Sequence, residues 1–108
     1  PDRMVVQAEK LDLCKIATLT FEEPDLKRFP ALKLAREALI RGGTAPTILN
    51  AANEIAVAAF LEERIGFLEI ASLVEQTLNK VPHSNISSID DVTEADALGR
   101  RLTNAILP

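Results

Sequence analysis

The sequence has no tryptophan and no tyrosine, and it holds one cysteine, one histidine and four glycines. Each shortage closes a class of function. With Cys14 alone no internal disulfide can form, which suits a reducing compartment. Cys14 also has no histidine near it in sequence and sits among apolar residues, where a thiol packs and stays inert. His83 follows a proline in the polar loop "HSNISS", so a solvated side chain is expected. No Glu-x-x-His occurs, which removes the di-iron class of helical bundle. No apolar run reaches the roughly 18 residues of a membrane span. The opening "PDRMVVQAEK" lacks the charged cap and apolar stretch of a secretory signal, and it starts without methionine, as if cut from something longer. The net charge of −4, with no dense run of Lys or Arg, argues against nucleic acid and against a membrane surface as partner.

What remains is an aliphatic chain. Apolar residues make up 47% of the 108 positions, enough for the core of one domain. Without Trp or Tyr, Phe29, Phe60 and Phe67 are the expected larger fillers. Residues 1–29 read as an extended connecting arm. "LDLCKIATLTF" alternates in part, with Leu11 and Leu13 on one parity and Cys14 and Ile16 on the other, as in a short strand. Pro24 and Pro30 break the polar stretch "FEEPDLKRFP" beyond it.

Residues 30–108 read as four helices. The first runs from Pro30 to Arg41, since proline suits a first turn and Gly42-Gly43 a stop. Its apolar face carries Leu32, Ala35 and Leu39, with Leu34 and Ala38 beside it. The second runs from Thr44 or Ala45 to about Arg64 with Gly66 marking its end, and it is apolar most of the way round, as a central helix is. The third covers about Leu68 to Val81, ended by Pro82. The fourth covers Ser88 to Ile106, with Ser88, Asp90 and Asp91 at a capped start. Its inner face carries Val92, Ala95, Leu98, Leu102 and Ile106. The expected fold is all-α: a small four-helix bundle preceded by an extended arm.

Within the second helix, "TILNAANEIAVAAF" places Thr47, Asn50 and Glu54 on one stripe, with Asn53 at its edge. Three readings compete. A metal or catalytic site is poorly served by one carboxylate and no histidine. A solvated stripe is the ordinary place for polar residues. A buried polar clamp fits a helix this apolar, because asparagine can pair with both the N–H and C=O of a packed-down loop. The clamp, Asn50, Asn53 and Glu54, is the reading adopted. Asp90-Asp91 are adjacent and point about 100° apart, so capping explains them better than a carboxylate pair. "RGGTAP" lacks the lysine and preceding strand of a phosphate loop and reads as a helix–helix turn.

"LTFEEPDLKRFPALKLA", "GGTAPTILNAANEIAVAAFL" and "RIGFLEI" form one long ordered match, over residues 19–70, that closely resembles the C-terminal region of 1-deoxy-D-xylulose 5-phosphate reductoisomerase. "LDLCKIATLTF" looks like that family's connecting arm, and "IDDVTEADALGRR" matches more loosely. The resemblance implies a parent enzyme that rearranges 1-deoxy-D-xylulose 5-phosphate and reduces the product with NADPH to 2-C-methyl-D-erythritol 4-phosphate. It implies Mg²⁺ or Mn²⁺, an N-terminal NADPH-binding domain, a central catalytic domain, a homodimer, and a place in non-mevalonate isoprenoid synthesis in bacterial cytoplasm or a plant plastid. The family's catalytic, metal and cofactor residues belong to the first two domains and have no matching positions here. The expected function is therefore a non-catalytic helical domain, inactive alone, that braces the missing domains. The alternative is a stand-alone helical interaction module.

Overall fold

The computed structural model describes residues 8–108. The first seven residues of the expected arm lie outside the described residues. Five helices are arranged in chain order: α1 Leu13–Ile16, α2 Pro30–Arg41, α3 Ala45–Leu61, α4 Phe67–Lys80 and α5 Ile89–Ile106. The described residues are all helical or irregular, so the chain is all-α as expected, with α2–α5 forming the bundle.

The arm carries a turn of helix in place of the expected short strand. The Asp12 carboxylate accepts from the Cys14 and Lys15 N–H groups at 3.0 and 3.2 Å. This local capping outcompetes extension where no neighbouring strand offers a ladder. Asp25 makes the same kind of turn with the N–H groups of Lys27 and Arg28, both at 3.0 Å. α1 touches none of the other helices. Cys14 is consequently exposed, not packed as expected.

α3 is the centre, packed against α5, α4 and α2. Its inward positions are Ala45, Ile48, Ala51, Ala52, Ala56 and Ala59, all buried. Small side chains let three helices approach one axis. α5 comes close at Gly99, where an added Cβ would stand 3.1 Å from the Ala51 Cβ and 3.5 Å from the Ile48 backbone. One turn further on, Thr103 Oγ1 donates to the Gly99 carbonyl at 2.8 Å. Its single proton is thereby spent, so Thr77 Oγ1 of α4 donates to Thr103 Oγ1 at 3.0 Å. Both threonines are fully buried, and this short chain of hydroxyls satisfies them. Leu34, Val74, Leu78, Val81 and Ala95 complete the main core around Ile48 and Ala52.

Phe29 and Phe67 are 53% and 70% exposed and are not core fillers. Phe67 meets the half-buried Phe60 edge to face, with ring centroids 5.8 Å apart. An axis lined with alanine leaves no room for a ring. α2 likewise buries Leu34 and Ala38, while Leu32 and Leu39, expected on the inner face, are 53% and 75% exposed.

α3 stops earlier than expected. Glu63 takes a positive φ of 58°, with Glu63 N–H on the Phe60 carbonyl and Arg64 N–H on that of Ala59, at 3.0 and 2.9 Å. This is a Schellman closure, with glutamate where glycine is usual. Gly66 instead opens α4, its N–H held by Glu69 Oε2 at 2.7 Å. A second clasp joins the α2–α3 and α4–α5 loops: Thr44 N–H bonds the Ser84 carbonyl at 3.0 Å, and the Thr44 hydroxyl accepts from Ser84 N–H at 3.1 Å. Gly43, at φ +53°, passes so close that any Cβ would overlap the Ser84 carbonyl oxygen.

Overpacking a tight contact costs about 1–3 kcal/mol. Gly99→Val should therefore lower the urea-unfolding stability of the chain by about 2 kcal/mol or more. Ala97→Val, on the exposed side of α5, should cost no more than about 0.7 kcal/mol of helix propensity. Equal effects of the two substitutions would contradict the close α3–α5 seam.

Candidate functional site

The polar stripe of α3 lies at the surface. Asn50, Asn53 and Glu54 are all exposed, which corrects the expectation that they are buried. Only one face of α3 is turned into the core, and these three side chains stand on the face it leaves open, Asn53 on the side towards α2 and α4. Asn50 and Glu54 still act together. Asn50 Nδ2 donates to Glu54 Oε1 at 2.9 Å, and Arg100 Nη2 of α5 donates to Glu54 Oε2 at 2.6 Å. Arg100 also holds Asp96 through Nε at 2.7 Å and Nη2 at 3.2 Å. Each pair within a helix is spaced four residues apart, the distance at which side chains meet.

The cluster sets one guanidinium between two carboxylates, which leaves it a net charge of −1. The hydrogen bond from Arg100, helped by that from Asn50, holds the Glu54 carboxyl below its ordinary value of 4.5. Asp96 first and Glu54 second hold the Arg100 guanidinium charged well above its usual range. The geometry joins α3 to α5 across a half-exposed seam. Pairs this exposed add little to stability, but they fix where the side chains stand. Arg100 and Asp96 were not among the expected site residues. The signal was present as Asp96-x-x-x-Arg100 on the predicted fourth helix.

The residues do not fit a divalent cation. Glu54 and Asp96 converge only because Arg100 lies between them, and its positive charge occupies the position a cation would need. Among the described residues, no group of three or more His, Cys, Asp and Glu side chains is placed to hold a metal. The Gly42-Gly43 turn does not fit a phosphate either, because Gly43 is closed by the Ser84 carbonyl and the Thr44 N–H is already bonded. His83 is exposed and stands 3.2 Å from Arg41 Nη1. Arginine can only donate, so His83 Nε2 accepts and the ring carries its proton on Nδ1. Among the described residues no helix is long and apolar enough to cross a membrane.

Asp91 is a helix cap. Its Oδ2 accepts from Ser87 N–H and Ser87 Oγ at 2.7 Å and from Ser88 N–H at 2.9 Å. Ser88 Oγ accepts from Asp91 N–H at 3.2 Å, which completes a capping box. The Ser87 bonds above all lower the Asp91 carboxyl from 3.8 to about 2. Asp90 and Asp91 form no pair, in line with their spacing.

Residues 1–102 match the profile of the family described as DXP reductoisomerase C-terminal domain. The 1-deoxy-D-xylulose 5-phosphate reductoisomerase of Rhodospirillum centenum is 57% identical over 107 residues, which cover 99% of this chain and 27% of the relative. That of Chlorobium chlorochromatii is 53% identical over 108 residues, covering 100% of this chain and 28% of the relative. The solved structure of the reductoisomerase from Zymomonas mobilis in complex with NADPH superposes with a TM-score of 0.88 at 48% identity, over 99% of this chain and 28% of that chain. The chain thus spans little more than a quarter of the length of these relatives.

The Asp91 cap sets an acid limit. A carboxyl with a lowered folded-state value stabilises fully above its ordinary 3.8, and that contribution is lost as pH falls through about 2. Asp91→Asn should lower the melting temperature at neutral pH and flatten the decline between those two pH values. A variant whose melting temperature tracks the parent at every pH would contradict the cap.

Proposed function

We propose, because this chain belongs to the DXP reductoisomerase C-terminal domain family, that it is the helical domain that braces the catalytic and NADPH-binding domains of a 1-deoxy-D-xylulose 5-phosphate reductoisomerase. In this reading the parent enzyme is a homodimer in bacterial cytoplasm or a plastid. It makes 2-C-methyl-D-erythritol 4-phosphate with NADPH and Mg²⁺ or Mn²⁺. Those groups are held by residues outside this chain, and no chemical step is assigned to the residues here. Residues 1–29 form the connecting arm and residues 30–108 the bracing bundle.

The observation that carries the proposal is the set of large apolar side chains left exposed on the arm and α2. Leu11, Leu19 and Phe21 of the arm are 76%, 58% and 86% exposed, and Leu39 and Ile40 of α2 are 75% and 78% exposed. Isolated apolar residues on a surface are ordinary, but this many large ones on an arm and on the helix after it support a contact surface. A chain that spans about a quarter of its relatives has the rest of the same enzyme as the natural cover. The polar cluster of Asn50, Glu54, Asp96 and Arg100 then serves to hold α3 and α5 in register. A stand-alone interaction module would also expose apolar residues, but nothing in its favour explains a family match of this extent.

Turnover of 1-deoxy-D-xylulose 5-phosphate, followed through NADPH absorbance with Mg²⁺, tests the proposal. The chain alone should be silent. The enzyme lacking this domain should be at least about tenfold slower than the whole enzyme, a loss of about 1.4 kcal/mol in transition-state stabilisation, and adding the chain should recover part of the rate. Turnover by the chain alone, or full activity without it, would overturn the reading.

A further inference from the structure

α2 and α4 both pack on α3 but meet each other only sparsely. Between them runs a groove of about 230 Å³, whose lining includes Leu34, Ala35, Leu49, Asn53, Ile70 and Ala71. No charged residue lines it. Its one polar group is the Asn53 carboxamide. Asn50, one turn away, is engaged with Glu54. Asn53 has no hydrogen-bonding partner among the described residues.

We propose that this groove seats one extended segment from the remainder of the same reductoisomerase chain. An apolar side chain of that segment fills the space between Ala35 and Ala71, and the Asn53 carboxamide bonds the N–H and C=O of its backbone. The inference rests on the reading that this domain braces the rest of the enzyme, and it names the contact.

Two arguments choose this occupant. A carboxamide offers one acceptor and two donors, which match a peptide unit and discriminate no particular side chain. An apolar, uncharged lining excludes a charged ligand, since a buried charge without a partner is costly. The size of the groove then separates tethered from untethered partners. A stable interface between independent proteins buries on the order of 1,000 Å² or more, far beyond what a one-side-chain groove provides. A segment of the same polypeptide arrives at the high effective concentration that tethering supplies, so a small seat suffices. About three quarters of the length of the relatives lies outside the matched region and is available to supply it.

The test uses a full-length reductoisomerase carrying this domain, with its reactive cysteines, Cys14 included, replaced by serine. Single cysteines are introduced as Ala35→Cys in the groove, Ile40→Cys on the outer face of α2, and Ala97→Cys on α5 as an open reference. All three positions are exposed within this domain. Reaction with a maleimide should be about tenfold or more slower at Ala35→Cys than at Ala97→Cys, as expected of a site that reacts only when its cover opens. Adding Asn53→Leu should speed the Ala35→Cys reaction severalfold, because the backbone anchor is gone. Equal rates at Ala35→Cys and Ala97→Cys, with Ile40→Cys protected, would overturn the groove and leave the bracing role standing. Equal rates at all three would overturn both. Protection at Ala35→Cys that disappears on dilution would assign the groove to a second copy and overturn the intramolecular seat.

Discussion

The architecture depends on the close approach of α3 and α5 at Gly99. With only hydrogen at that position, the α5 backbone comes against Ala51 and Ile48, and α3 can serve as the axis for three neighbours at once. The alanines of α3 are part of the same constraint, because any larger residue there would push a neighbour away. So is the Thr77–Thr103 contact, which closes the α4–α5 seam with polar groups that satisfy each other. A core of this kind is thin. On the α3 side it buries mostly alanine, and hydrophobic stabilisation scales with the area removed from water. The larger apolar residues are displaced outward onto α2, the arm and the start of α4. A domain built around alanine therefore carries its bulk where a neighbour can use it.

The loops keep the thin core in register. Thr44 and Ser84 exchange hydrogen bonds between the α2–α3 and α4–α5 connections, and Gly43 permits the approach. Asp91 fixes the start of α5 within the same end of the bundle. At the other side, Arg100 joins Asp96 and Glu54. These contacts are local and each is modest. Together they determine which faces of α2, α3 and α4 stay open, and so where the grooves lie.

The helices were legible because their ends carry chemistry that acts locally. Pro30 and Gly42 bracket α2, and Ser88 with Asp91 starts α5, as expected from capping alone. The end of α3 was not legible, because Glu63 adopts a conformation that glycine would normally signal. The inner face of α2 was misread for a deeper reason. Leu32, Leu34, Ala38 and Leu39 supply two adjacent apolar stripes, one for the domain's own core and one facing outward, and periodicity cannot tell them apart. The same ambiguity placed Asn50, Asn53 and Glu54 in the interior. A helix apolar on nearly all sides reads as fully enclosed, whereas part of its surface here is open. The role of the polar stripe was narrowed by Arg100, which lies 46 residues away in sequence and which no local pattern connects to Glu54. Family membership was legible, because it rests on long ordered motifs and not on geometry.

The central claim is that this bundle and the rest of the reductoisomerase stabilise one another through the exposed apolar surface. Calorimetric unfolding of the whole enzyme, beside that of this chain alone, addresses it most directly. The account predicts that the whole enzyme shows no separate transition at the melting temperature of the isolated chain, because the bundle unfolds with the domains that cover it, at a higher temperature. A distinct transition in the whole enzyme at the same temperature and enthalpy as the isolated chain would show a bundle that neither gives nor receives support, and would contradict the account.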